Sequence, residues 1–472
     1  MYLGLDLGTS SLKALLIDAA QSVVAEATAP LDVQRPRSGW SEQDATAWEG
    51  ACEKAVRGLD ADLSKVRAIG LAGHMHGATL VDGDDRPLRP CLLWNDTRAA
   101  DEATAMDDAQ ARRITGNIVF PGFTAPKAEW VRRTEPEIWD RVARILLPKD
   151  YLRLWLTGEA VSEMSDAAGT AWLDVGARDW SEAMLARQGL TRDHMPRLVE
   201  GSEISARLRD ELADRLGLPR GTPVAGGAGD NAAAAMGTGA VAPGQGFVSL
   251  GTSGVLFVSS AAFQPAPETA VHTFCHAVPD TWHQMGVILN CTDSLEWAAR
   301  LTGRDAGALA SGDLMPPGRP LFLPYLGGER TPHNDAGVRG SLLGIEHATD
   351  AAALGRAVME GVAFALRDNL DALRGTGTPI ERLLAVGGGA RSETWLRMIA
   401  TVLDMPLHLP RDGQFGAALG ACRLAMMADG AGSDVAEAPP IDRVIEPDPD
   451  LRDAFTEGHA RFKAAYAPTR TL

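Results

Sequence analysis

Apolar residues crowd the start of the chain in YLGLDL (2–7), give way to Gly8-Thr9-Ser10-Ser11, and resume from Leu12 to Ile17. Two apolar runs around a short cluster of small polar residues predict a β-hairpin with its tip at Gly8–Ser11. The same event recurs in the second half. VSLGTSGVLFV (248–258) again runs from apolar residues into Leu-Gly-Thr-Ser and leaves along an apolar strand. A repeat at so long a distance predicts two related domains rather than a solenoid. Each copy puts small residues and bare N–H groups at a hairpin tip, a geometry able to hold phosphate oxygens.

The remaining pattern mixes strands and helices. Ala68–Ala72 reads as a short buried strand ending at Gly73, and Leu383–Val386 as another that runs into GGGARS (387–392). Asp44–Leu59 and Asp101–Ile114 have helical composition, with Asp44 a cap for the first. Ala351–Arg374 reads as one long helix, and Ser392 stands where it caps the next. The stretch from Gly430 to Pro449, rich in Ala, Pro and Asp, predicts irregular exposed chain before a last helix near 451–466. The fold class is therefore α/β.

Composition narrows this picture. A chain of 472 residues exceeds the usual size of one core, so two domains are expected. Lys and Arg total 45 against 62 acidic residues, a net charge of −17, which argues against a nucleic-acid partner. ATP remains compatible, because backbone N–H groups and a metal ion can meet its phosphates. Five cysteines (Cys52, Cys91, Cys275, Cys291, Cys422) stand apart, with no CxxC pair, and read as free thiols in a reducing compartment. The start shows no basic segment before an apolar one, and no apolar run reaches the length of a membrane span. A cytoplasmic protein without a membrane partner is expected.

Candidate chemistry centres on two carboxylates. Asp230 follows the glycine-rich Ala225–Gly229 and precedes an alanine run that predicts a helix, so it stands near a helix N-terminus where a substrate can come close. It suits a general base, or else Asp230 or Asn231 simply caps the helix. Asp6 interrupts a strand of Leu and Gly, a costly position unless the carboxylate is metal-bound or bonded to nearby N–H groups. His74-Met75-His76 follows the strand Ala68–Ala72, and Trp94-Asn95-Asp96 adds an aromatic face with polar groups. The histidines have no acidic or cysteine partner nearby in sequence, so hydrogen bonding to a polyol suits them better than metal binding.

These residues resemble the FGGY carbohydrate kinases. The likeness covers nearly the whole chain, through GLDLGTSSLK (4–13), WSEQD (40–44), GHMHGATL (73–80), LLWNDTR (92–98), LLPKDYLRL (146–154), GAGDNAA (227–233), SLGTSGV (249–255), LPYLGGERTPHND (323–335), GGGARS (387–392) and GAALGA (416–421). The resemblance implies two duplicated actin/hexokinase-like (ribonuclease H-like) domains, residues 1–240 and 241–472, with a ligand cleft between them. The first would hold the sugar site and first phosphate loop, the second the other phosphate loop and the adenosine site. It implies ATP-dependent phosphorylation of D-xylulose to D-xylulose 5-phosphate. Alternatives are another pentulose or polyol (ribulose, xylitol) or a non-kinase actin-like ATPase. By the resemblance Asp230 falls on the catalytic base, and Asp6 with Asp230 on the Mg²⁺ site. The sugar would meet His74, Met75, His76, Trp94, Asn95, Asp96, Asp230 and Asn231. ATP would meet Gly8, Thr9, Ser10, Lys13, Gly251, Thr252, Ser253, Gly388, Gly389 and Ala390. The expected partners are sugar and ATP, with room for a homodimer. One departure stands out: His74 occupies a position where the family's D-xylulose branch has Gln. Because histidine can charge near neutral pH, a shifted pH profile or sugar preference is expected from it.

Overall fold

The structure is a computed structural model that describes residues 1–411 and 416–470. Two mixed sheets of seven strands organise it. The first runs, edge to edge, Ile204–Arg207, Pro223–Ala225, Ala68–Gly73, Tyr2–Leu7, Ser11–Ile17, Val23–Pro30, with Ala228–Gly229 extending along Ala68–Gly73. The second runs Ile441–Ile445, Leu407–Pro410, Arg382–Val386, Gln245–Leu250, Gly254–Ser260, Trp282–Ile288, His272–Cys275. From matching edges the two share one sequence of pairings: antiparallel, parallel, parallel, antiparallel, antiparallel. The hairpin repeat in the sequence is thus the visible part of a duplicated topology.

Helix caps follow the sequence reading. Asp44 accepts from Thr46 N ahead of Ala45–Arg57, and Ser392 accepts from Trp395 N ahead of Glu393–Leu403. The long helix spans Ala351–Gly375, capped by Asp350. Two expectations are corrected. The segment 101–114 is two helices, Ala100–Met106 and Ala109–Thr115, because Asp107 takes Arg112 and Asp108 caps Ala111 N, so both aspartates stop the first helix. Within 430–449, Ile441–Ile445 forms an edge strand on Leu407–Pro410, a pairing too distant in sequence for local composition to reveal.

The halves are tied by two crossing helices. Ala417–Ala428, from the second half, packs on the first sheet, and the positions of Gly4 and Gly70 leave no room for a Cβ against Ala418 O and Ala421 O. The same helix crosses Asp230–Thr238 with Gly420 directly on Ala233 O. Only glycine allows this backbone approach. Arg423 then donates to Met236 O at 2.7 Å and Gly237 O at 3.1 Å, closing the C-terminus of Asp230–Thr238 with a cation.

Candidate active site

Register assembles the site. Three parallel strands end side by side, with Leu7 opposite Gly73 and Gly73 opposite Gly229. The residues that follow are the first hairpin tip, His74–His76 and Asp230, so three distant segments meet at one carboxyl edge. In open α/β sheets this is the edge at which ligands bind. The second half repeats the arrangement. Ser249 lies opposite Val386, which brings Gly251–Ser253 beside Gly387–Arg391.

Both hairpin tips are braced from below. Gln43 Nε2 donates to Thr9 O at 3.0 Å, and Gln43 Oε1 in turn accepts from the buried Trp48 indole. Gly251 O accepts from Thr292 N at 2.9 Å and Thr252 O from Cys291 N at 2.8 Å. The N–H groups of Thr9, Ser10, Thr252 and Ser253 meet no acceptor among the described residues. Four free donors on small residues at two tips fit triphosphate oxygens. Gly387 needs its φ of 93°, while a Cβ at Gly388 would face open space, so a ligand can lie against that backbone. Gly389 is buried against Leu250, leaving Gly388 and the partly exposed Ala390 as the accessible part of this segment. Lys13 is turned toward Glu26, 2.8 Å away.

Asp230 is the first residue of its helix, not the cap. Gly229 takes the cap position, and its N–H donates to Ser165 Oγ at 3.1 Å. Asp230 Oδ1 accepts from Asn231 N at 2.7 Å and Asn231 Nδ2 at 2.9 Å, and Oδ2 has no partner among the described residues. Burial pushes the Asp230 carboxyl up to about 6, opposed by the bonds from Asn231. Burial also pushes Asp6 up to about 6, helped by the charge of Asp230 and opposed by Lys13. Two buried carboxylates, one of them raising the proton affinity of the other, make a donor set suited to a hard divalent cation.

The sugar-side residues divide into two groups. His76 is held at φ 71°, its Nδ1 lies 2.7 Å from Gly169 O, and its ring stacks on Phe123 at 4.7 Å. Such a left-handed histidine is a strained position that the surrounding packing must hold. Trp94 is 48% exposed, and its Nε1 donates to Thr9 Oγ1 at 3.0 Å, joining this motif to the first hairpin tip. Asn95 Oδ1 is buried without a partner. Met75 is buried and packs under Gly229 and Gly169.

Two expectations are corrected here. Asp96 is fully buried, accepts from Ser41 N and holds Arg98 through both oxygens, so its carboxylate is consumed by structure. His74 is also buried, edge-on to Trp48 at 6.0 Å, with neither ring nitrogen bonded among the described residues. Burial pushes it down to about 3, so it stays neutral at physiological pH and the expected charging near neutral pH is not available to it.

Sequence reasoning missed a buried ionic cluster beneath Asp230. Lys149, Asp150, Arg153, Glu163 and Asp166 are all inaccessible to solvent, with Lys149 Nζ 2.9 Å from Asp150, 3.5 Å from Glu163 and 3.4 Å from Asp166. Three acids against two bases would leave a negative charge. Burial, against the pull of Lys149, raises Asp166 well above the usual carboxylate range, and its proton balances the cluster. The signal was present in the sequence, since Lys149, Asp150 and Arg153 fall on one side of an otherwise apolar helix, Pro148–Thr157. An aromatic wall of Phe120, Phe123, His272 and Phe274 was also missed.

Known proteins resemble the chain over its full length. The model of the FGGY family of carbohydrate kinases, N-terminal domain, matches residues 1–237, and that of the C-terminal domain matches residues 246–428. The chain belongs to the FGGY family of carbohydrate kinases. A xylulose kinase of Escherichia coli (strain K12) is 47% identical over 481 residues, covering 100% of this chain and 97% of the relative. Among solved structures, one described as a xyloylose kinase from Brucella ovis matches with a TM-score of 0.98 at 56% identity, covering 100% of this chain and 99% of the other. The xylulose kinase from Rhodospirillum rubrum matches with a TM-score of 0.92 at 28% identity, over 99% and 98% of the two chains. This FGGY chain has the two-domain actin-like fold of its family and is a kinase that uses ATP. Among the described residues no helix is long and apolar enough to cross a membrane.

Proposed function

We propose that this chain phosphorylates D-xylulose to D-xylulose 5-phosphate with ATP, in the reducing cytoplasm that suits its five free, buried cysteines. The observation that carries the reading is the meeting of Asp6, the Gly8–Ser10 tip, His76 and Asp230 at one edge of three neighbouring strands. The choice of sugar rests on the names of the relatives.

In this reading the primary hydroxyl of the sugar gives its proton to the free Oδ2 of Asp230. The hydroxyl oxygen forms a bond to the γ-phosphorus, the bond to the bridging oxygen breaks, and ADP leaves with that electron pair. A carboxyl held near 6 is ionised at neutral pH yet basic enough to accept the proton. The free N–H groups of Thr9, Ser10, Thr252 and Ser253 hold the phosphates, with adenosine along Gly388 and Ala390. Asp6 and Asp230 would hold Mg²⁺, which when bound neutralises charge on the phosphate oxygens. Residues 1–240 then supply the sugar site and one phosphate loop, and residues 241–472 the other loop and the adenosine site. Within that division the helix Ala417–Ala428 belongs to the second domain by sequence and to the first by packing.

The test is sugar-dependent ADP release across D-xylulose, D-ribulose, L-ribulose, xylitol and D-arabitol. The expected result is the highest kcat/KM with D-xylulose. A better acceptor among the others overturns the choice of sugar, and release that no sugar stimulates overturns the reaction.

A further inference from the structure

Arg330 sits in the GERTPHND stretch, and the reading above gives it no role. Its backbone is fixed to the second sheet. Its N–H donates to Glu329 Oε1 at 2.7 Å, and that oxygen also accepts from Leu289 N at 3.0 Å. The next residue, Thr331, donates through N to Val287 O, accepts from Val287 N and bonds Ala270 O through its hydroxyl. From this rigid base the guanidinium reaches the other half of the chain and lies over the ring of Phe120, 3.7 Å from its centroid.

There it has no hydrogen-bond or ion-pair partner among the described residues, although it is partly buried. Glu329, its only carboxyl neighbour in sequence, is pushed up to about 8 by burial and is uncharged at neutral pH. Burial lowers Arg330 itself only to about 10, so the cation persists unpaired. A partly buried guanidinium without a protein partner leaves its donors to water or to a ligand that displaces it.

Its position within the site says which part of a ligand it meets. The charge of Arg330 bears on His76 and His272, whereas Asp6 responds to Asp230 and Lys13. The ring contacts agree, since Phe120 under the guanidinium meets Phe123 at 5.5 Å and Phe123 stacks on His76 at 4.7 Å, which puts Arg330 at the His76 end of the site. A five-carbon chain whose terminal hydroxyl lies at Asp230 presents its other end here.

We propose that Arg330 is the residue that recognises the carbonyl end of an open-chain ketose, its fork donating to the ketone oxygen and the adjoining hydroxyl. This rests on the reading of the chain as a sugar kinase. Carbonyl and hydroxyl oxygens on neighbouring carbons match two N–H groups of a planar fork. Phe120 supports the guanidinium from one side, 3.7 Å from its ring centroid. A polyol puts a hydroxyl on a tetrahedral carbon in place of the planar ketone, so its oxygen leaves the plane in which the fork meets both oxygens. Arg330 thereby separates ketose from polyol.

The experiment is the ratio of kcat/KM for the ketose to that for its reduced polyol, in wild type, Arg330→Met and Arg330→Lys, each with a KM for MgATP. Arg330→Met keeps an unbranched stem on Phe120 and removes the donors. The ratio should fall about 10–100-fold, the worth of a charged hydrogen bond, with the loss in ketose KM. Arg330→Lys should recover part of it, and carries the same test should Arg330→Met not fold. A ratio within about threefold of wild type in whichever variant folds overturns the proposal, and so does a loss that falls on KM for MgATP instead, which would make Arg330 a phosphate ligand. The wild-type panel judges the sugar separately. Preference for a ketose other than D-xylulose refutes the choice of sugar and leaves the ratio test running on that ketose, while preference for a polyol overturns the role of Arg330.

Discussion

Replacing Asp230 by asparagine separates chemistry from stability. Burial pushes its carboxyl from 3.8 up to about 6, so the folded chain holds this proton more tightly than the unfolded chain does. The sign follows: between pH 3.8 and about 6 the contribution to stability falls as pH rises, and the penalty is complete above about 6. Each tenfold change in proton affinity corresponds to about 1.4 kcal/mol, so the wild type bears about 3 kcal/mol at pH 8 and about half that at pH 5. The variant keeps an oxygen to accept from Asn231 N and has no charge to bury. It also removes the charge that raises Asp6. Equilibrium unfolding in urea should therefore find Asp230→Asn more stable than wild type, by up to about 3 kcal/mol at pH 8 and by about half as much at pH 5. In the same protein kcat should fall about 10²–10⁴-fold, the usual worth of a general base. A gain in stability that does not depend on pH refutes the electrostatic account. A variant with nearly wild-type kcat refutes Asp230 as the base.

In the wild type, kcat/KM should decline as pH drops through about 6 and Asp230 becomes protonated; a flat profile down to pH 5 would contradict that. His74→Gln should leave this profile in place, because His74 is already neutral, and a profile moved in that variant would show that the buried ring titrates. Lys149→Met should cost about 3–5 kcal/mol in urea unfolding by leaving the acids of the buried cluster short of a cation; a loss under about 1 kcal/mol would show that the cluster is not charged as described. Small-angle scattering with sugar and a non-hydrolysable ATP analogue should show a smaller radius of gyration than the free chain, and reads whether the chain is a homodimer; an unchanged radius in every liganded state removes closure from the mechanism.

How much the sequence revealed depends on how local each signal was. Hairpins, caps and the strand–glycine–helix at 383–403 rest on neighbours in sequence and were legible. Asp230 stood out as a candidate there, because a lone carboxylate between glycines and an alanine run is unusual within a few residues. The segment 94–98 was harder. Trp94 and Asp96 stand two residues apart, yet one is exposed beside Thr9 and the other is buried on Arg98, since a turn sends neighbours in opposite directions and composition does not say which goes where. His74 was misread for the same reason. The buried cluster draws on residues from 149 to 166, and the guanidinium of Arg330 acquires its meaning from Phe120, some two hundred residues away. Neither can be seen until the chain is folded.

The contacts between the halves also say how they can move. At one place the helices Asp230–Thr238 and Ala417–Ala428 touch backbone to backbone, with no side chains between them to yield. Close packing of that kind resists sliding. At a second place the first half is bonded to the far edge of the second sheet: Asn117 Nδ2 to Thr273 O, Arg178 Nη1 to Thr281 O and Trp282 Nε1 to Val175 O, each at 2.8 Å. The halves also share a buried apolar cluster that runs from Met75 and Phe123 to Phe257 and Phe274, so the motion these contacts resist least is a small rotation about the line that joins the two places. Arg330 and Phe120 lie close to the second of these places, because Thr331 bonds the strand Trp282–Ile288, so such a rotation moves them little. Between the hairpin tips at Gly8–Ser10 and Gly251–Ser253 no hydrogen bond runs among the described residues, and these are the groups that rotation brings together. If the scattering experiment shows closure, this rotation would leave the proposed sugar end as it is and complete the proposed cradle for the phosphates. Such an order would put recognition of the acceptor before assembly of the phosphate site and so keep water from taking its place.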